Sequence, residues 1–217
     1  MSATSIGLSP ALNAYVVAHS TAPDQVLTDL ADRTHELGSL SGMQIAPEEG
    51  AFLTVMTRLV GARSAVEVGT FTGYSSICIA RGLAPGGRLL CCDVSAEWTG
   101  IAREFWARAG VSDRIELVVA PAADTLRALP AEASIDLAFI DADKTGYLTY
   151  WEELVPRVRP GGVLLVDNVL RDGDVLRDDP DEATAAIQAF NVRVVSDERV
   201  DVAMLPLADG VTVAVRR

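Results

Sequence analysis

SAVEVGTFTGYSSICIA, residues 64–80, reads as a short apolar strand, Ser64–Val68, a turn carrying Gly69 and Gly73, and a helix opening at Tyr74. A helix that carries the chain back across a sheet delivers the next strand in the same direction. Outward from this unit the pattern repeats. Arg88–Asp93, Ile115–Val119, Ile135–Ile140 and residues 163–166 are further short runs rich in Val, Ile and Leu. Segments of helical length separate them: residues 74–83, Ala96–Ala109, 121–129 and 146–158. This alternation predicts an α/β fold with a parallel sheet and helices on both faces. The tail differs, because residues 199–205 and 211–215 are joined by Pro206 to Gly210, which predicts a closing antiparallel hairpin. Upstream, residues 5–38 read as helix in two pieces, broken at STAPD (20–24), where Thr21 or Asp24 could cap the second piece. A third helix is predicted over residues 47–59. It has Pro47 at its start, Glu48 and Glu49 in its first turn, and Phe52, Leu53, Met56 and Leu59 on one face.

At 217 residues and 49% hydrophobic, without an evident linker, repeat or low-complexity segment, the chain suits a single domain. Residues 1–60 would be an N-terminal helical cover and residues 61–217 the sheet core. The formal net charge of -12 argues against a broad nucleic-acid or anionic-membrane surface, which needs clustered Lys and Arg. A small or neutral ligand fits better. No apolar run approaches membrane-spanning length, and the first eleven residues lack the basic start and long apolar centre of a secretory signal. A cytoplasmic location is expected. Cys78, Cys91 and Cys92 form neither an even disulfide framework nor a metal-ligand spacing, and read as small core residues in a reducing compartment.

In an open parallel sheet, ligands bind beyond the carboxyl ends of the strands. The first strand ends in the Gly69–Gly73 turn, which can bring backbone NH groups near a ligand at the start of the next helix. It is not the dinucleotide pattern GxGxxG. Glu67, just before the turn, would repel a pyrophosphate but could hold the ammonium of an amino-acid moiety, which favours S-adenosylmethionine. Asp93 ends the second strand, where a carboxylate can accept hydrogen bonds from ribose hydroxyls.

The fourth strand runs into FIDADKTGYLTYWE (139–152) and the fifth into LLVDNVL (164–170). Asp141, Asp167 and Asn168 could present three oxygens to one hard divalent cation, with Mg2+ the natural candidate. Zinc is disfavoured, since His19 and His35 lie in the N-terminal helices. Lys144 would then stand beside a reacting hydroxyl and could take its proton. Plainer readings exist for each residue. Asp141 or Asp143 could cap the helix near Gly146, and Lys144 could be a solvated surface lysine. Tyr147, Tyr150 and Trp151 at helical spacing suit packing, with Tyr150 the one candidate contact. The acidic run from Asp172 to Glu182 reads as a solvated loop, in a place that also suits a lid.

EVGTFTGYSS (67–76), Asp93, FIDADKTGYLTYWE and LLVDNVL occur in the order and spacing of the cation-dependent O-methyltransferases, the group of catechol and caffeoyl-CoA O-methyltransferases. The chain resembles that family from Tyr15 to the final hairpin. The resemblance implies a Rossmann-like, seven-stranded, mostly parallel sheet with one antiparallel strand, the use of S-adenosylmethionine with Mg2+ or a similar ion such as Mn2+ or Ca2+, and a homodimer. It implies cofactor contacts at Met43, Ile45, Glu67, Gly69, Ser75, Asp93, Ala122, Asp143 and Tyr150. Metal ligands fall on Asp141, Asp167 and Asn168, and the general base on Lys144. The chain departs from the family at Gly146, often Asn there, and at Arg171 and Asp172, often an aromatic and Asn. Arg171 could attract an acidic phenol or only face solvent. Two adjacent hydroxyls can chelate one metal, so methyl transfer to a vicinal dihydroxy aromatic of catechol type is expected. Two rivals are a tRNA base hydroxyl as acceptor and a non-catalytic cofactor-binding protein.

Overall fold

The computed structural model describes residues 8–217. Its helices are α1 (Pro10–Ala18), α2 (Gln25–His35), α3 (Pro47–Val60), α4 (Tyr74–Gly82), α5 (Ala96–Ala109), α6 (Ala122–Ala128), α7 (Tyr147–Leu154) and α8 (Glu182–Val195). Its strands are β1 (Ser64–Val68), β2 (Arg88–Asp93), β3 (Ile115–Val119), β4 (Ile135–Ile140), β5 (Val158–Val166), β6 (Val200–Leu205) and β7 (Val211–Arg216). They form one sheet in the order β3-β2-β1-β4-β5-β7-β6. β1 to β5 pair in parallel, and only β7 runs against its neighbours. This is the expected α/β architecture with one reversed strand.

Side-chain alternation along the strands feeds two cores. Ala65, Leu137, Phe139, Val163 and Leu165 pack with Leu30, Leu53, Ile77 and Phe105 of α2 to α5. Val66, Val68, Ala138, Ile140, Leu164 and Val166 pack with Leu126, Trp151 and Phe190 of α6 to α8. Because both faces are covered, the strands can be apolar throughout, as parallel strands generally are. The cysteines are buried and free of disulfides. Among the described residues, no helix is long and apolar enough to cross a membrane.

Some boundaries differ from expectation. Residues 5–7 lie outside the described chain, and α1 opens at Pro10, where the Ser9 side chain accepts from Leu12 N. Asp24, not Thr21, caps α2 by accepting from Leu27 N. The expected helix over 146–158 stops at Leu154, and β5 begins at Val158 rather than Val163. Pro160, Gly161 and Gly162 look like a turn, yet Val158 already pairs with Ile135, and a register shift before Leu137 absorbs them as a bulge. Between α2 and α3, a 3-10 turn at Gly38–Met43 brings Met43 and Ile45 to the carboxyl end of the sheet. The order of strands reverses between β1 and β4, so the loops after these strands diverge and leave a crevice.

Candidate active site

That crevice is a cleft of about 660 Å³. Val68 is in register with Cys92 and Ile140, and Ile140 with Val166. Gly69, Asp93, Asp141 and Asp167 therefore leave four adjacent strands at one level. Backbone bonds continue the ladder one step further: Gly69 N to Cys92 O at 2.9 Å, Asp141 N to Val68 O at 2.8 Å and Asp167 N to Ile140 O at 3.0 Å.

Asp93 shapes the glycine turn. Its Oδ2 accepts from Thr70 N (2.9 Å) and Phe71 N (2.8 Å), and its Oδ1 from Ser95 N (2.8 Å). Oδ1 keeps a second lone pair, and Asp93 lines the cleft. Glu67 does not line it. The residue is fully buried, its Oε2 accepting from Thr70 Oγ1 (3.1 Å) and Cys91 Sγ (3.2 Å), while Oε1 has no partner. Burial pushes the Glu67 carboxyl up to about 7, against the hydrogen bonds it accepts.

At the ends of β4 and β5 the charges interlock. Lys144 Nζ donates to Asp141 Oδ1 (3.0 Å), Asn168 Oδ1 (2.6 Å) and the Tyr147 hydroxyl (2.7 Å), which donates in turn to Asp167 O (3.1 Å). Lys144 is thus no surface lysine; its side chain is 13% exposed. Neither Asp141 nor Asp143 caps the following helix, which opens at Gly146 without a side-chain cap. Asn168 adopts φ 57°, a left-handed conformation that Asn tolerates better than most residues, and its N–H donates to its neighbour Asp167 Oδ1 (2.6 Å). Burial and the facing Asp141 charge push the Asp167 carboxyl up to about 8. Among the described residues, no three His, Cys, Asp or Glu side chains already surround one point as metal ligands. The Lys144 ammonium instead holds Asp141 and Asn168. The donor set of two carboxylates and an amide oxygen is nonetheless one that suits a hard divalent cation.

The rest of the cleft wall includes Met43, Ile45, Gly69, Ser75, Ala122, Asp143 and Tyr150, all expected from the sequence. Tyr150 donates to Asp143 Oδ1 at 2.5 Å. A Cβ at residue 146 would lie 2.5 Å from the Tyr150 ring, so Gly146 leaves room for that contact. Tyr147 and Trp151 are core residues, each packed edge-on against Phe190. Arg171 and Asp172 also line the cleft, in successive left-handed conformations of φ 49° and 52°. Arg171 makes no hydrogen bond or ion pair among the described residues, and its Nε is buried. The acidic run thus begins at the cleft wall and ends in the first turn of α8, which Asp181 caps.

A family model described as O-methyltransferase matches residues 17–217. The chain belongs to this O-methyltransferase family. A probable caffeoyl-CoA O-methyltransferase of Dictyostelium discoideum is 37% identical over 209 residues, covering 93% of this chain and 90% of that protein. An O-methyltransferase from Bacillus cereus, solved in complex with SAH, superposes with a TM-score of 0.87 at 31% identity, covering 95% of this chain and 97% of the other. TomG from Streptomyces achromogenes, solved with SAM and involved in tomaymycin synthesis, superposes at 0.86 with 30% identity, covering 95% and 96%.

The methyltransferase's cleft also contains residues the sequence reading passed over. Phe71 and Trp98 meet edge to face, with ring centroids 5.2 Å apart, beside Asp93. Asp209, in the β6–β7 turn, accepts from Asp172 N and is 4% exposed. Glu49 reads from sequence as an ordinary acid in a helix's first turn, yet it is 1% exposed and lines the cleft. Only Trp98 carried a local signal, an aromatic in the first turn of the helix following a strand-end acid.

Proposed function

We propose that this O-methyltransferase binds S-adenosylmethionine and transfers its methyl group to one oxygen of a vicinal dihydroxy aromatic, with a divalent cation held by Asp141, Asp167 and Asn168. The observation that carries this reading is the Lys144 ammonium held between Asp141 Oδ1 and Asn168 Oδ1 at the ends of two strands. Those oxygens already attract a cation, and a proton-transfer group stands among them. Asp93 would accept from a ribose hydroxyl through the lone pair left on Oδ1, beside Phe71 and Trp98 as apolar walls for the adenine. Glu67, buried behind the cleft wall with Oε1 unpartnered, would act from there as the anionic counterpart for the cofactor's ammonium. A bound divalent cation would acidify a chelated hydroxyl and hold the diol in position. Lys144 Nζ would be the group placed to take up the hydroxyl proton. Bound S-adenosylmethionine would supply the methyl group, which passes to that oxygen as the sulfonium S–C bond breaks and leaves a neutral thioether. Arg171, an unpaired guanidinium on the same cleft wall, favours acceptors that also carry a carboxylate.

The test is methyl transfer from labelled S-adenosylmethionine to catechols, carboxylated catechols and their monophenol counterparts, with Mg2+ or chelator. Labelling of catechols alone, lost on chelation, is expected, with carboxylated acceptors preferred. Metal-independent labelling of monophenols would overturn the chelation reading. Labelling of bulk tRNA in place of any phenol would move the acceptor to nucleic acid.

Glu67 makes the cofactor affinity pH-dependent. With its carboxyl near 7 in the free protein, it is protonated at lower pH, whereas an ammonium partner favours the carboxylate. SAH affinity should therefore rise with pH below about 7 and level off above it. Since 7 is above the ordinary 4.5, Glu67 stabilises the cofactor-free fold fully below 4.5, and that contribution is lost as pH rises through 7. Calorimetric titration of SAH between pH 5.5 and 8 checks this. A profile just as steep in Glu67→Gln would assign the pH dependence elsewhere.

A further inference from the structure

Glu49 is the third residue of α3, following Pro47 and Glu48. Acidic residues are common there because they complement the helix dipole, and a Glu at this position can reach back to the N-cap N–H. Such residues are normally solvated or bonded. Glu49 is not solvated and only partly bonded: it is 1% exposed, its Oε1 has no hydrogen-bond partner, and it faces the cleft. Its carboxyl lies within hydrogen-bonding reach of Asp167 and within charge range of Asp141. Three carboxylates thus face one ammonium, Lys144, which touches Asp141 but neither of the other two carboxylates. A buried carboxylate without a counter-charge is costly, and the start of α3 offsets only part of that cost. A divalent cation would bring the group to neutrality.

We propose that Glu49 is a fourth oxygen ligand of the cation held by Asp141, Asp167 and Asn168. This rests on the metal-dependent reading above. Its consequence is specific to a small hard ion, which prefers six oxygens in octahedral array. Four protein oxygens leave two positions, the number a vicinal diol can fill and one more than a monophenol supplies. Glu49 would thereby set both the affinity for the ion and the preference for a chelating acceptor.

The experiment is titration of Mn2+ into the cofactor-free protein, followed by the loss of the free-ion EPR signal, for wild type, Glu49→Gln, Glu48→Gln and Asp141→Asn. Glu48 is the internal control, because it too is buried with both oxygens unpartnered but does not line the cleft. The proposal expects Glu49→Gln to weaken Mn2+ at least tenfold and Glu48→Gln to leave it within twofold. The metal-free Glu49→Gln protein should melt at or above the wild-type temperature, since a repelled buried charge is gone, so weaker binding would not reflect misfolding. Glu49→Asp, which withdraws the charge by one methylene, gives a second reading and should also weaken the ion. Wild-type affinity in Glu49→Gln, with Asp141→Asn strongly impaired, would overturn the role of Glu49 and leave the three-ligand site standing. Absence of Mn2+ binding by the wild type would overturn both.

Discussion

Replacing Lys144 by Met is expected to lower the rate of methyl transfer by about 100- to 10,000-fold, the range associated with losing a positioned general base. Methionine keeps an unbranched apolar side chain and removes the nitrogen, so the effect should appear in kcat with little change in the affinity for SAH. Arginine should not rescue it, because a guanidinium does not give up its proton at neutral pH. The same substitution separates two roles. Nζ occupies oxygens of Asp141 and Asn168 that a divalent ion would use. Lys144→Met should therefore bind Mn2+ at least as tightly as the wild type, even as activity collapses. Steady-state kinetics with saturating Mg2+, alongside Mn2+ titration, tests both halves. Retention of more than a tenth of wild-type kcat would remove Lys144 from the proton-transfer step. A loss of Mn2+ binding parallel to the loss of rate would make it a structural part of the ion site instead.

The second large effect is expected at Gly69. Its φ of 92° is a region L side chains rarely adopt, and an added Cβ would stand 1.9 Å from Asp141 O and 2.6 Å from Asp141 C. These are backbone atoms of the strand end that carries the first acid of the proposed ion site, so no rotamer can relieve the overlap. Either the cofactor turn or the end of β4 must move. Gly69→Ala should cost about 3 kcal/mol or more of stability and reduce methyl transfer below a hundredth. Gly61, the left-handed cap of α3 with φ 64° and open space around it, provides the comparison. Gly61→Ala carries the backbone strain without the collision and should cost about 1–2 kcal/mol. Urea denaturation of both variants measures the difference. Equal costs at the two positions would mean that the turn and β4 are not in the contact described.

Much of this was legible along the chain because the signals are local. Val-rich runs bounded by Gly, Asp and Pro mark the strands, and the turn from Gly69 to Gly73 needs residues that tolerate unusual φ. Parallel strands in register then bring their ends together, so that acids one residue past each apolar run, Asp93, Asp141 and Asp167, had to meet. The strand over Val158–Val166 was misjudged because Pro160-Gly161-Gly162 has the composition of a turn, and only pairing with β4 makes it a bulge. Glu67 lies next to the cofactor turn, yet it is buried and does not line the cleft, because Thr70 and Cys91 hold its carboxylate inside.

The sequence by itself therefore determined the α/β order, the reversed last strand through the closing hairpin, and the acids at the carboxyl edge, since these depend on periodicity and on neighbours a few residues apart. Only the tertiary structure decided which distant groups share the cleft. Glu49 arrives from a helix packed over the sheet, Asp209 from the far hairpin, and Lys144 bridges residues from two strand ends. Burial and uncompensated charge belong to the packed molecule. No window of sequence distinguishes a solvated first-turn glutamate from one pressed against two aspartates.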